Sequence, residues 1–301
     1  MRPSEFGEFR AFFAVVQHGS FTRAAMHLGL SVATLSETVR RLEERVGTRL
    51  LNRTTRSVSP TMEGARLAER LKPILEGLAD AAAGIGRAEG EPFGRLRLNA
   101  NRYAALHVVA PLTATFLIKF PAVQLELVVE DALVDVVAGG FDAGVRLGER
   151  LEGDMVAVGL GGVVRMVVVG SPAYLAQNGV PATPGDLAKH NCINMLRPTD
   201  RSAYRWEFEK GGKAMEIAVA GSFVCDDPAA RLRAAADGLG LAYVFEREAE
   251  PLVRSGQLVT VLDDWTPPFS GCFLYYPGRR HISTPLRAFI DHAKASLRHT
   301  A

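Results

Sequence analysis

The sequence predicts an α/β protein that begins with an all-helical, basic segment, passes through one long helix and ends in alternating strands and helices. Three observations carry that expectation. Apolar residues recur at helical spacing over roughly the first 46 residues, punctuated by Gly-Ser and Gly turns. Leucine and isoleucine then alternate spacings of four and three between Leu67 and Ile85. Beyond a Gly- and charge-rich stretch, Gly86 to Arg95, short β-prone runs alternate with helical ones. A chain of 301 residues, 48% apolar and 23% charged, has room for two or three domains, and its composition excludes disorder. No run approaches the roughly 18 apolar residues of a membrane helix. The segment Met1 to Gly19 carries Arg2, Glu5, Glu8 and Arg10 where a signal peptide needs an unbroken apolar core. The three cysteines, Cys192, Cys225 and Cys272, are odd in number and far apart, which suits neither a disulfide framework nor a zinc site. The expectation is a cytoplasmic protein with no metal and no cofactor.

The formal charge of +2 is unevenly divided. Residues 1–60 hold nine Arg and five Glu, a net of +4, so the other 241 residues sum to −2. A basic front end suggests nucleic acid as a partner, or an ordinary solvated surface. Phe6, Phe9, Phe13 and Val16 mark the first helix, which stops at Gly19. "SFTRAAMHL" continues as a short helix whose Ala24 and Ala25 let another helix cross closely. Gly29 supplies the turn and Ser31 the next cap. In the third helix Leu35, Val39, Leu42 and Val46 share one face, leaving Ala33, Ser36, Glu37, Arg40, Arg41 and Glu44 outward. This is a helix-turn-helix, or an αα-hairpin that packs on another domain.

The residues at the front of the third helix favour the first reading. Ser31, Val32, Ala33 and Thr34 are short enough to let a backbone into the major groove, and their hydroxyls and methyls suit base edges. Arg40 and Arg41 follow near the phosphates; Ser20, Thr22 and Arg23 on the second helix complete the expected face. Glu37 would accept from a cytosine amino group, or pair with Arg40 or Arg41 along the helix. In "RLLNRTTRSVSPT" two β-prone stretches flank "NRTTR", as in a hairpin wing, with Arg53, Thr54 and Arg56 placed for phosphate or minor-groove contact. After Thr61 the residues Leu67, Leu71, Ile74, Leu78, Ala81 and Ile85 form a heptad seam, which predicts pairing with the twin helix of a dimer; Pro73 inside it should kink the helix or remove a hydrogen bond.

These residues carry a resemblance. "GSFTRAAMHLGLSVATLSETVRRLEERVGTRLLNRTTRSVSPTMEG" resembles the N-terminal winged helix-turn-helix of the LysR-type transcriptional regulators, which share GSF, AA, the capping Ser, LE, G-x-x-L-x-x-R and T-x-x-G. Two departures, Val32 where many relatives have Gln or Pro and Glu37 where a basic residue is common, leave base preference open. The resemblance implies a C-terminal effector domain of the type 2 periplasmic-binding-protein arrangement: two α/β lobes, a ligand cleft, and two crossing strands. It implies DNA, a small-molecule effector and a second copy of the chain, as dimer or tetramer, as partners, with RNA polymerase added in an activator. The expected divisions are a winged helix-turn-helix over 1–60, a linker helix over 61–88 and an effector domain over 89–301. Within the last, lobe I takes about 92–165 and 269–301 and lobe II about 166–268.

The elements after the linker follow in order. Strand "RLRLNA", helix "AALHVVAPLTATFLIKF", strand "VQLELVVE", helix "LVDVVAGG" and strand "FDAGVRLG" make the first α/β set. After "VVRMVVVG" come a hairpin around Gly211 and Gly212, helix "PAARLRAAADG", strand "LAYVFE" and a closing helix "LRAFIDHAKASLRH", with crossings expected near Val163–Val169 and Phe269–Tyr276. Ligands of such lobes sit beyond strand C-termini near helix N-termini. That singles out Asn101, Arg102 and Tyr103, then Asp131 and Arg146, and in the second lobe Arg197, Thr199 and Asp226. Arg146 is the expected holder of an anionic effector's carboxylate, or else a structural partner of Asp135 or Asp142.

Enzyme motifs are missing from the sequence. "GLGGVVRM" has Val164 where a dinucleotide loop needs its third glycine, and no GK[ST], H-E-x-x-H or G-x-S-x-G occurs. Two classes remain: a ligand-responsive DNA-binding regulator, and a transport-type solute-binding protein. The basic N-terminal reader segment favours the regulator.

Overall fold

The computed structural model describes residues 3–53, 58–83, 91–137, 139–148, 155–278 and 282–298. Two compact units emerge, Met1–Gly94 and Arg95–Ala301. The first is built from α1 (Pro3–His18), α2 (Phe21–Leu28), α3 (Val32–Val46), a hairpin of β1 (Leu51–Arg53) and β2 (Val58–Pro60), and α4 (Met62–Ala83). Ser20 caps α2 by accepting from the Arg23 N–H at 3.4 Å, and Ser31 caps α3 by accepting from the Thr34 N–H at 3.0 Å. Gly29 and Gly47 end these helices at φ of 66° and 69°, a left-handed conformation that glycine adopts without steric cost.

The core of this unit is Phe12, Val15, Leu35, Val39 and Leu42, each completely buried and each contributing roughly 1.5–3 kcal/mol. The α1 stripe differs from the expected one: Phe9, Phe13 and Val16 only flank this core, while Phe12 and Val15 fill it. On α3, Val46 is 42% exposed and lies outside the core. A larger correction concerns the seam. Leu71 is buried in the same core and Leu67 packs against it, so both are occupied within one chain, whereas Ile74 and Leu78 are 61% and 52% exposed. The expected partner-facing stripe therefore narrows to Ile74 and Leu78 among the described side chains. That of Ala81 is not described, and Ile85 lies outside the described residues, as do Thr54 and Arg56. The helix runs on through Pro73 as far as Ala83.

The second unit contains two sheets. One has the order β4 (Val123–Val129), β3 (Gly94–Ala100), β5 (Ala143–Leu147), β15 (Cys272–Pro277), β6 (Met155–Gly159), with β3 parallel to β5 and β15 antiparallel to both of its neighbours. Onto it pack α6 (Ala110–Lys119) and α10 (Thr284–Arg298), where Phe116 meets Phe289 edge-on at 5.2 Å. The other sheet has the order β13 (Val259–Val261), β8 (Met166–Gly170), β12 (Leu241–Phe245), β9 (Cys192–Ile193). Along β8, Met166 and Val168 enter one core while Val167 and Val169 enter another, the period-two pattern of a strand covered on both faces. β7 (Val163–Val164) and β14 (Phe269–Ser270) pair where the chain passes between the sheets, within the expected crossings.

Two elements differ from expectation. "LVDVVAGG" is not helical: Val136 packs with Phe141 and Tyr275, and turns at Gly139 and Gly140 end the segment before a helix can nucleate. The helix over 102–119 is one run in three parts, α5 (Arg102–Ala104), a π-helical turn (Ala105–Val109) and α6. Pro111, which has no N–H and whose ring crowds the carbonyl four residues back, sits just after that wider turn. The hairpin around Gly211 and Gly212 forms as expected, pairing β10 (Trp206–Lys210) with β11 (Lys213–Ile217). α7 (Pro172–Asn178), α8 (Pro228–Ala236) and α9 (Glu246–Arg254) complete the unit.

Candidate functional site

The first candidate surface is the face of α3. Ser31, Val32, Ala33 and Thr34 are all exposed at its start, with the Ser31 and Thr34 hydroxyls 2.8 Å apart. Thr22 and Arg23 are exposed beside them on α2, and Ser20 is half-buried as its cap. Further along, Arg40 holds Glu37 with two parallel contacts of 2.9 Å and reaches Glu44 at 2.6 Å, while Arg41 Nε lies 3.4 Å from Glu37. The Arg40 guanidinium keeps the Glu37 carboxyl below the usual range, and that carboxylate raises Arg40 in turn. Glu37 is thus clamped along its own helix, the second of the two readings its spacing allowed. Ser36 is half-buried, its hydroxyl accepting from Arg53.

The wing is tied down by a residue that the motif contains but the periodicity does not explain. Glu43 Oε1 accepts from the N–H groups of Leu50 at 2.9 Å and Leu51 at 3.0 Å, and Oε2 accepts from Arg53 at 2.9 Å. Arg53 also donates to Ser36 at 3.2 Å and lies over the Phe21 ring at 5.0 Å. Its guanidinium is engaged by α2 and α3, so Arg53 is a strut of the wing, held by Glu43 and Ser36 with its side chain 35% exposed. The T-x-x-G that follows has a packing reason. Thr61 accepts from the Gly64 N–H at 3.0 Å, and a side chain on Gly64 would stand 2.0 Å from the Leu50 carbonyl oxygen.

The second candidate is a cleft of about 1050 Å³ in the second unit. Asn101 caps α5 through the Ala104 N–H at 2.8 Å, and Asp131 accepts from the Arg102 N–H at 2.8 Å. The Arg102 side chain crosses to Asp227, the cap of α8, at 3.1 Å. One turn into α8, Arg231 is 6% exposed and donates to the Tyr243 carbonyl at 2.9 Å; burial lowers its pKa. Burial also pushes the Glu248 carboxyl up and the His107 imidazole down, and the two stand 4.0 Å apart. Tyr103 packs on Phe245 at 4.1 Å. Tyr204 and Tyr243 stack near Trp206, and the Tyr204 hydroxyl donates to Glu207 at 3.1 Å.

The arrangement matches known proteins over nearly its full length. Residues 6–65 fit the family model of the bacterial regulatory helix-turn-helix protein, lysR family, and residues 89–298 fit the LysR substrate binding domain. The chain belongs to the LysR family of transcriptional regulators. The HTH-type transcriptional regulator PgrR of Escherichia coli K12 is 38% identical over 98% of each chain, and the HTH-type transcriptional repressor PA14_22550 of Pseudomonas aeruginosa is 32% identical over 93% of this chain and 88% of its own. Among solved structures, the full-length Vibrio cholerae virulence activator AphB is 25% identical with a TM-score of 0.62, covering 98% of this chain and 99% of its own. The LysR-type regulator CrgA of Neisseria meningitidis is 29% identical with a TM-score of 0.58, over 97% and 98%. The solute-transport reading is accordingly not favoured. Among the described residues no helix is long and apolar enough to cross a membrane.

For this LysR-type regulator the cleft assembles most of the residues expected from sequence. Asn101, Arg102, Tyr103, Asp131, Arg197 and Asp226 line it; Thr199 is exposed but does not. Arg146 does not line it either. It is 3% exposed and turned into the lobe I interior, donating to Asn99 Oδ1 at 2.6 Å and the Ala132 carbonyl at 3.0 Å. β5 is covered on both faces, so a residue near its end is enclosed by the turn over 131–137. Sequence reasoning missed Arg231, Glu248, Tyr204 and Tyr243. For Arg231 the structure supplies what the sequence lacks: it shares a helix face with buried Ala235, four residues on.

Proposed function

We propose that this LysR-type regulator lays the start of α3 in the major groove of two operator half-sites, pairs through the Ile74 and Leu78 face of α4, and changes its grip on DNA when a small molecule fills the cleft. The observation that carries the DNA reading is the run Ser31–Thr34, four short exposed side chains on a capped helix start, with Arg40 and Arg41 two turns on. Where the protein activates transcription, RNA polymerase is the further partner. The clamp on Glu37 leaves the helix front to read bases, while Arg23 and Arg41 supply sequence-independent attraction to phosphates.

Selection from a randomised half-site library tests the DNA reading. Ala33→Gln introduces an amide able to bond adenine edges and is expected to change the preferred base at one position per half-site; an unchanged consensus refutes groove entry by this end of α3. The ligand reading is tested separately, in a reporter strain that carries the regulator and its own promoter. Ala214→Trp, which projects bulk from the hairpin into the cleft, is expected to freeze expression at one level across growth conditions. A reporter that still responds as wild type refutes the cleft as the effector site.

A further inference from the structure

The cleft has two electrically different ends, and one residue touches both of the elements that form them. At one end stands the β10–β11 hairpin. Trp206 and Phe208 turn into the core, at 1% and 3% exposure, so Glu207 and Glu209 share the opposite face, and both line the cleft. The register sets Glu207 directly across from Glu216, a like-charge pair that destabilises a hairpin unless positive charge is near. Glu216 has Arg205 at 3.3 Å, but among the described residues the Glu207 carboxylate meets the Tyr204 hydroxyl and no cation, and Glu209 makes no ion pair. The aromatic faces of Tyr204 and Tyr243 lie beside this acidic wall.

At the other end stands Arg231. It is more than nine-tenths buried, yet among the described residues it is in no ion pair, and its Nε has no hydrogen-bond partner. Glu248, whose Oε2 is buried and unpartnered, and Asp227, the cap of the same helix, act on it through space without a direct contact. A buried guanidinium without a matched anion is costly, and a carboxylate placed against its fork removes that cost. Tyr243 joins the two ends. Its carbonyl accepts from Arg231, and its hydroxyl donates to the Glu207 carbonyl at 2.6 Å. Tyr243 therefore links Arg231 to the backbone of the strand that carries the two carboxylates.

We infer that the effector is a zwitterion of dipeptide size, its carboxylate on Arg231 and its ammonium against Glu207 and Glu209. This rests on the cleft being the effector site, and it replaces the anionic ligand expected on Arg146. The cleft of about 1050 Å³ has room for a ligand of that size.

The test uses the full chain and three libraries: free dipeptides, the same dipeptides N-acetylated, and the same dipeptides C-amidated. Thermal unfolding is followed with each, and hits are titrated by calorimetry. The expected result is stabilisation by the free dipeptides alone. For the best hit, Arg231→Gln is expected to weaken binding at least about tenfold, the scale of one lost charge-assisted contact. Glu209→Gln, at an exposed position that does not threaten folding, is expected to weaken the same hit severalfold and so decides the matter even if Arg231→Gln fails to fold. Equal stabilisation by the acetylated library shows that no amine is read; equal stabilisation by the amidated library shows that no carboxylate is read. Either result overturns the inference, as does silence from all three libraries. In that last case the Ala214→Trp reporter tells whether the ligand class alone is wrong or the cleft reading with it.

Discussion

Glu43→Ala isolates the device that fixes the wing to the reader helix. The carboxylate accepts two backbone N–H groups, from Leu50 and Leu51, and both residues are 3% exposed, so water cannot easily replace it. Hydrogen bonds to a charged acceptor contribute about 1.5–3 kcal/mol each, which gives about 3–6 kcal/mol for the two. The pair with Arg53 adds less than about 1 kcal/mol, because that side chain is 35% exposed and screened. A loss of about 3–6 kcal/mol is large against the roughly 5–15 kcal/mol that holds a domain together. In a unit of this size, each kcal/mol moves Tm by about 4–8 °C. The assay is thermal and urea unfolding of the full chain, with hydrogen exchange read at the Leu50 and Leu51 amides. Glu43→Gln keeps an acceptor for the amides and is expected to lose about half as much. A Glu43→Ala protein within about 1 kcal/mol of wild type, or one whose two amides keep their protection, refutes the reasoning.

Three further outcomes are expected. Arg146→Ala removes bonds to Asn99 and Ala132 from a buried site, so it should lower the stability of the second unit by about 3 kcal/mol while inducer response persists in the folded fraction; a stable protein that has lost its response would restore Arg146 to the cleft. Ile74→Asp with Leu78→Asp should dissociate the dimer in sedimentation and leave the winged core folded, since both side chains are exposed in the single chain; an intact dimer places the interface elsewhere. Asp186, which Lys189 and then Thr183 lower from 3.8 to about 2, should add stability at pH values above about 4, and that increment should fade as pH falls through about 2. Acid titration of wild type against Asp186→Asn checks this: the two stability curves should converge at the acid end, and curves that diverge there reject it.

What could be read in the chain and what could not separate along a physical line. Helix caps, glycine stops and alternating strands are local: Ser31 caps α3, Gly47 ends it, and Gly211–Gly212 turns the hairpin because short-range sterics and hydrogen bonding decide each of them. Which face of an amphipathic element meets which neighbour is not local. The seam from Leu67 to Leu78 has one period, but its first half is consumed by the winged core and only its second half is left open, a division set by where α1 and α3 lie. Charged residues divide in the same way. An arginine at a strand end looks like a ligand whether the strand's end opens on a cleft or is closed by a turn; Arg146 met the second case, while Arg231, within a helix pattern of alanines, lines the cleft without a strand-end signal. The distinguishing quantity is the counter-charge each one meets after folding, and sequence spacing does not encode it. Arg53 and Arg40 make the point at the surface. Both are cations of a basic segment, and both fold onto glutamates ten or fewer residues away, so neither guanidinium is free, while the net +4 of residues 1–60 already includes those glutamates. Arg23 and Arg41, less engaged, then supply more of the attraction.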